Sequence, residues 1–452
     1  MNVWRKIVIF ILLSLNLYAF FLHSREAVFL ILITSVLLYA TELIPPIYTS
    51  FLLLFLLFIH VPVEMQDRIL AGFQSQILFF LIGVIGIGIA VANSGIGKGF
   101  MYLLDRVMTK LMLPFSLMLT ITLIPLSLFL PSSITRNAML HPLLKTFIKA
   151  RGLEKEEKRI GLTLGMLNPL VSSALLTGGL SSILTASLLG GITWWSWFLM
   201  MAIPYYTVLF VGLGYILIRY PLKQTYTESM DVRQIERLAP PEFSRDDWKM
   251  IGILLFVVGF WMSDSVHQFP PVVGALLGAV LLFIFTPNLN WEDIKQSNAF
   301  ENLIIIGSML SLIEVVSDYG VFTDLSQLIT HVFSDQWSYI MIVVIVIIFT
   351  MIFNIFIPSI VVCISILVPL FSEVAESVGL NPILIALLVA LTVDGVKFYP
   401  AQSTPILMVY DKNEFTVRDI AQMGVAMFFL LIVVVFVIIL PYWRLIGLQL
   451  FL

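Results

Sequence analysis

Four polar stretches inside apolar sequence carry the side chains that could do chemistry. The first is Ser132-Ser133-Ile134-Thr135-Arg136-Asn137, bounded by Pro131 and Pro142. Hydroxyls and freed carbonyls there can coordinate a small cation or donate to the oxygens of an anion. Arg136 adds a positive charge that is costly at membrane depth unless it is paired, hydrated or led to the interface. It therefore either snorkels or meets an acid, or it faces a ligand. The second stretch, Thr177-Gly178-Gly179-Leu180-Ser181-Ser182-Ile183-Leu184-Thr185, breaks a helical pattern with glycines and hydroxyls. A half-helix beginning there offers unpaired N–H groups and partial positive charge, which suits an anion. A kink closed by Ser and Thr bonding back to their own helix is the plainer reading. The third stretch runs from Asp394 through Lys397 and Gln402 to Ser403, Thr404 and Pro405. Asp394 and Lys397, three apart, either neutralise each other on one helix face or leave Lys397 as a positive charge in a cavity. The fourth is Ser359, at a tip made less polar by Ile360, Val361 and Cys363.

This chemistry is binding rather than bond-making. The sequence has no nucleophile–base pair, P-loop or zinc-ligand spacing, and an enzyme is not expected. One cysteine, Cys363, rules out an intramolecular disulfide or a cysteine-based metal cluster. Gly83-Val84-Ile85-Gly86-Ile87-Gly88 sits in an apolar run, where small residues let helices approach closely. It is not a nucleotide loop. Candidate sodium positions lie near Ser132, Ser133 and Ser359, and no other cofactor is implied. Partners are a small anion and the lipid bilayer. The net charge of −3 says nothing about partners, since the charges sit in loops, and no nucleic acid is expected.

The elements that must position these residues are membrane helices. Apolar residues make up 60% of the 452 and charged ones 12%, against about a quarter charged in soluble domains. Spans are expected at Ile7–Leu22, Ala27–Leu43, Ile47–Val61, Ile77–Gly97, Gly161–Trp195 with a break inside, and Trp197–Ile218. The second half supplies Lys249–Val266, Pro271–Phe285, Asn302–Ser317, Pro382–Tyr410 with a break inside, and Ile420–Leu440. The run from Leu111 to Leu144 is too long for one crossing of about 20 residues and too short for two. It reads as a re-entrant hairpin whose irregular tip lines a cavity.

The chain repeats this plan. Pro131-Ser132 and Pro142-Leu143 recur at one offset as Pro358-Ser359 and Pro369-Leu370, and Asn93-Ser94-Gly95 has a counterpart at Ser317–Gly320. Such a repeat in an apolar chain is the mark of a two-fold transporter. The first hairpin is flanked by Lys98, Arg106, Lys145 and Lys149, and the second by Asp318, Asp324, Glu373 and Glu376. By the positive-inside rule the hairpins come in from opposite faces, with the N-terminus cytoplasmic and the C-terminus outside. The fold class is thus an all-α polytopic protein of about 11 crossings plus two hairpins, in two inverted repeats. Its parts are an N-terminal span (1–26), a first repeat (27–218) with hairpin 111–144, a cytoplasmic connector (219–248), and a second repeat (249–452) with hairpin 337–371.

Thr41-Glu42-Leu43-Ile44-Pro45, Ile77-Leu78-Phe79-Phe80-Leu81-Ile82-Gly83 and Ser94-Gly95-Ile96-Gly97 complete a pattern. With the two tips and Phe398-Tyr399-Pro400-Ala401-Gln402-Ser403-Thr404-Pro405…Gly424, the chain resembles the divalent anion/sodium symporter family of the ion transporter superfamily. The resemblance implies a homodimer in the plasma membrane, each protomer moving a transport domain against a scaffold as an elevator. It also implies di- or tricarboxylate or sulfate substrates, usually coupled to sodium. The family's hairpin tips read Ser-Asn-Thr and its breaks end Thr-Pro-Pro-Asn. Here stand Ser132-Ser133-Ile134, Ser359-Ile360-Val361, Ala186-Ser187-Leu188-Leu189 and Ser403-Thr404-Pro405-Ile406, without those asparagines. Arg136 and Lys397 bring cations to the same places, and a fixed cation can stand in for bound sodium. The expected function is secondary transport of an anion, either cation-coupled or by sodium-independent exchange. The alternatives are a larger anionic or lipid-linked phosphate cargo, or a transport-inactive sensor or accessory protein.

Overall fold

The computed structural model describes residue 14 and residues 24–111, 113–150, 152–190, 192–221, 242–297, 299–332 and 338–451. The expected span Ile7–Leu22 and most of connector 219–248 lie outside them. Among the described residues, seven helices are long and apolar enough to cross a membrane, and four more are apolar but shorter. The chain is a multi-pass helical membrane protein.

One group of helices forms a framework: Ser24–Thr41, Pro46–His60, Gln76–Ala92, Arg245–Met262, Pro271–Phe285 and Ala299–Asp318. The glycine run lies in Gln76–Ala92, and a Cβ on Gly83 would come within 2.6 Å of the Ala275 backbone. Gly83 therefore allows the two backbones to pack directly, as expected of a small residue in such a run.

The other group holds the hairpins and broken helices. Phe115–Phe129 and Ser133–Ala150 form the first hairpin, and Tyr339–Phe356 and Ile360–Ser377 the second. The fifteen residues of Phe115–Phe129 reach only about 22 Å, short of a hydrocarbon core of about 30 Å, whereas both arms of the second hairpin are among the seven helices long enough to cross. Phe115 and Phe147 stack across the first pair of arms, and Phe349 meets Phe371 edge-on across the second. The return arms run well beyond the expected limits of 144 and 371. Pro142 and Pro369, which look like stops in the sequence, are accommodated inside helices.

The two repeats interleave. Asn168–Ser173 and Pro382–Gly395, the leading halves of the broken helices, each lie against their own repeat's hairpin. The trailing halves cross over: Leu180–Leu188 packs on the second hairpin's return arm, and Thr404–Val409 on the first's. Two further helices, Ile96–Leu111 and Val321–Val332, precede the hairpins at corresponding places. The sequence reading left them as charged flanks, although apolar residues such as Phe100, Met101 and Leu104 recur at helical spacing and are buried.

Candidate functional site

Each hairpin return arm begins with the same local device. Ser132 Oγ accepts from the Thr135 N–H, and Ser359 Oγ from the Val362 N–H. Serine before a first turn satisfies one of the helix's orphan donors, so the repeated Pro-Ser pair has a local structural role. Ser133 and Thr135 are half-buried beside them, and Thr135 lies against Gly88, whose missing side chain makes room for it.

Arg136 is fully buried and, among the described residues, pairs with no acid. Its Nη1 donates to the carbonyls of Leu130 (2.5 Å) and Pro131 (3.0 Å). Nε and Nη2 donate to Asn168 Oδ1 at 2.8 and 2.7 Å, and Nη2 also to the Asn168 carbonyl and to Ser172 Oγ. Burying a guanidinium costs several kcal/mol unless its donors are met, and here neutral oxygens meet them. Asn168 in turn donates to the Ser133 carbonyl and to Asn137 Oδ1, while Asn137 Nδ2 donates to the carbonyls of Leu164 and Pro405. Arg136 thus ties the tip to the leading half of the first broken helix.

The first break lies earlier than expected. The leading half ends at Ser173, and the next helix starts at Leu180. A Cβ on Gly178 would sit 1.9 Å from the Ser172 carbonyl, so this tight reversal requires glycine. Ser181, Ser182 and Thr185 fall inside the trailing half-helix instead. Ser182 Oγ closes the turn by donating to the carbonyls of Leu176 and Gly179, and Thr177 Oγ1 accepts from Trp194 Nε1.

At the second break the helix ends at Gly395, and an extended stretch leads to a turn at Pro400–Gln402. Gln402 organises it. Its Oε1 accepts from the N–H groups of Phe398 and Tyr399, and its Nε2 donates to the Asn354 carbonyl on the second hairpin. Asn354 Nδ2 returns bonds to the carbonyls of Val393 and Val396. Ser403 is buried where the trailing half starts, and Thr404 is exposed. Asp394 does not pair with Lys397. It accepts from Ser181 Oγ at 2.5 Å and Tyr205 Oη at 2.9 Å, which joins the two breaks at one buried carboxylate. Ser173 Oγ lies 3.1 Å from Ser181 Oγ in the same cluster. Lys397, off the helix end, is 3% exposed, and its Nζ has no hydrogen-bond partner among the described residues.

The structure therefore brings Ser181 to Asp394, leaves the lysine amine out of contact with that carboxylate, and keeps Arg136 in its own network. Sequence reasoning missed Asn168, Asn354 and Tyr205. Asparagine deep inside an apolar helix was the available signal for the first two. Candidate sodium coordination at the first tip does not fit: the Leu130 and Pro131 carbonyls and Asn168 Oδ1 already hold a guanidinium. At the second tip the Ile357 carbonyl accepts from Cys363 Sγ at 3.2 Å. A cavity of about 830 Å3 lies apart from both tips. Ser75, Phe80, Asp264, Ser265 and the stretch 268–272 on the framework side line it, with Leu176, Ile183 and Ser187 of the broken helix opposite.

The profile of the family described as sodium:sulfate symporter transmembrane region matches residues 3–449. The chain is 27% identical over 257 residues to a citrate/succinate antiporter of Escherichia coli (strain K12), covering 52% of this chain and 51% of that one. It is 24% identical over 132 residues to a chloroplastic dicarboxylate transporter 2.2 of Arabidopsis thaliana, covering 28% and 24%. A membrane protein of Cupriavidus necator is 22% identical over 402 residues, 84% of this chain and 76% of its own. The chain spans about half the length of the antiporter it matches, and less of the chloroplastic one.

Proposed function

The chain belongs to the sodium:sulfate symporter transmembrane family, and we propose that it is a sodium-independent secondary transporter of a small di- or tricarboxylate or inorganic oxyanion. The family is one of transporters rather than enzymes, and the names of the relatives support the substrate class. The observation that carries the sodium-independence is the Arg136 guanidinium. It fills the ring of carbonyl and amide oxygens that a hard cation would need. Being permanently charged, it supplies the electrostatic work of an ion that never leaves.

In this reading the anion binds beside Lys397, between the second tip at Ser359 and the junction of Asp394 with Ser181. Arg136, Ser132 and Ser133 hold the first tip in shape, and Gln402 and Ser403 the second break. The division into a framework and a hairpin-bearing body, with a cavity between them, supports an elevator movement. A homodimer in the plasma membrane, with the N-terminus cytoplasmic and the C-terminus outside, completes the proposal. The test is uptake of labelled succinate, citrate and sulfate into proteoliposomes, with sodium replaced by potassium on both sides. Undiminished uptake in potassium is expected, and a collapse there would sink the proposal.

The cavity favours a second reading, a larger amphiphilic anion. Its volume suits a drug-sized ligand, and Phe80, Phe269 and Pro270 give it apolar walls. Stabilisation of the purified protein by a phospholipid headgroup analogue with an acyl tail, but not by succinate, citrate or sulfate, would move the argument there.

A further inference from the structure

Two buried cations flank the interleaved breaks, and only one is satisfied. Arg136 meets five distinct acceptor atoms, whereas Lys397, nearly as buried, meets none. The other lysines whose contacts are described behave differently: Lys145, Lys158, Lys249 and Lys295 each face a carboxylate. The groups around Lys397 leave it without a countercharge in contact. Asp394, one residue inside the end of the preceding helix, spends its hydrogen bonds on Ser181 and on Tyr205 of helix Trp194–Arg219, and it acts on the amine through its charge without contact. Cys363 lies within electrostatic reach on the second hairpin's return arm. Tyr399 donates to the Ile355 carbonyl and feels Glu42 from the framework. Asn354 and Gln402 bond the backbone on either side of Lys397, and Gly424 packs on its carbonyl; none of the three carries charge.

The base of this side chain is pinned. Gln402 holds the next two N–H groups, and a Cβ on Gly424 would lie 2.1 Å from the Lys397 carbonyl. Only the flexible stem and the amine can respond to a ligand. An ammonium enclosed without an acceptor has lost its hydration, and the charge of Asp394, held out of contact, offsets only part of that loss, so burial favours the uncharged amine. An anion arriving beside it reverses the preference by supplying both acceptors and opposite charge. A lysine can make this change, and an arginine cannot.

From this geometry we infer that Lys397 is the coupling group: its amine takes a proton from water as the anion binds and returns it as the anion leaves. The nitrogen lone pair forms the new N–H bond as an O–H bond of a hydrated proton breaks and leaves water, and no electron is transferred. Each anion crosses with one proton, which takes the place of a coupling sodium ion. This inference rests on the reading of the chain as an anion transporter.

The test uses the purified full-length chain, with sulfate as a probe whose charge is constant between pH 6 and 9, and succinate and citrate beside it. Binding is read by calorimetry, and proton uptake by a dye in weakly buffered solution. One proton per sulfate bound is expected, with affinity falling about tenfold per pH unit where the free amine is uncharged. Lys397→Arg should bind sulfate with no proton uptake and no pH dependence. Sulfate binding without proton uptake by the wild type, or proton uptake retained in Lys397→Met, overturns the inference and leaves the transporter reading standing. Failure of all three anions to bind overturns that reading, and the inference with it. Should Lys397→Arg not fold, the wild-type proton count decides alone.

Discussion

At the first hairpin tip Ser132 caps the return arm, and Arg136, one turn on, donates to the carbonyl of Leu130. At the second, Ser359 caps the return arm, and Cys363, at the corresponding repeat position, donates its thiol to the carbonyl of Ile357. The two frames coincide bond for bond, and the side chain that fills them does not. The first tip carries its own cation and saturates it with Asn168 and Ser172 from the facing helix. The second carries a small neutral group, and its cation comes from the broken helix as Lys397, with its amine unmet. Two-fold repetition thus preserves the backbone device while the two halves diverge, one toward a fixed structural charge and the other toward a charge that can respond to a ligand.

The comparison can be broken in four places. Arg136→Met should have the largest effect, lowering stability by about 3–5 kcal/mol, because it strands a buried shell of carbonyl and amide oxygens. Thermal unfolding in detergent measures it, and Arg136→Lys should rescue little, since an ammonium cannot reproduce the planar fork. A wild-type melting temperature in Arg136→Met would mean that the first tip does not depend on its guanidinium. Asn168→Ala, which removes the acceptor shared by Nε and Nη2, should cost about 1–3 kcal/mol by the same measurement.

Lys397→Met sharpens the contrast through its sign. Removing an unmet buried amine should leave stability unchanged or raise it by about 1–2 kcal/mol, while sulfate and succinate binding is lost. A marked drop in melting temperature would show that Lys397 is a structural partner like Arg136. Cys363→Ala should be the mildest change, under about 1 kcal/mol, because a thiol is a weak donor. A larger loss in unfolding experiments would mean that the second tip, too, is held from within.

Much of the architecture was legible in the chain. The absence of charge from long apolar runs required helices that satisfy their own backbone groups in lipid. The repeated Pro-Ser and Pro-Leu pairs located both hairpins, and Gly178-Gly179 located a break. Helix limits were read less well. Pro142 and Lys145 looked like the end of an arm that continues to Ala150, because neighbouring helices and side chains can re-satisfy what a proline frees. The amphipathic helices before the hairpins were hidden by their charges.

The candidate site divides along the same line. Residue types and spacing put Arg136 and Lys397 at the hairpin and the break, because a cation in an apolar chain is conspicuous wherever it stands. Sequence could not say that Arg136 would be enclosed by Asn168, 32 residues on, or that Asp394 would turn from Lys397, three residues away, to Ser181 and Tyr205. Those choices depend on which helix halves cross between repeats, and that is set by packing over the whole body. The sequence by itself determined a helical multi-pass membrane protein with a basic side chain at each of two polar breaks in its apolar runs. Only the tertiary structure decided which of the two charges is bound and which is left for a ligand, because satisfying a buried cation takes acceptors from several distant segments at once.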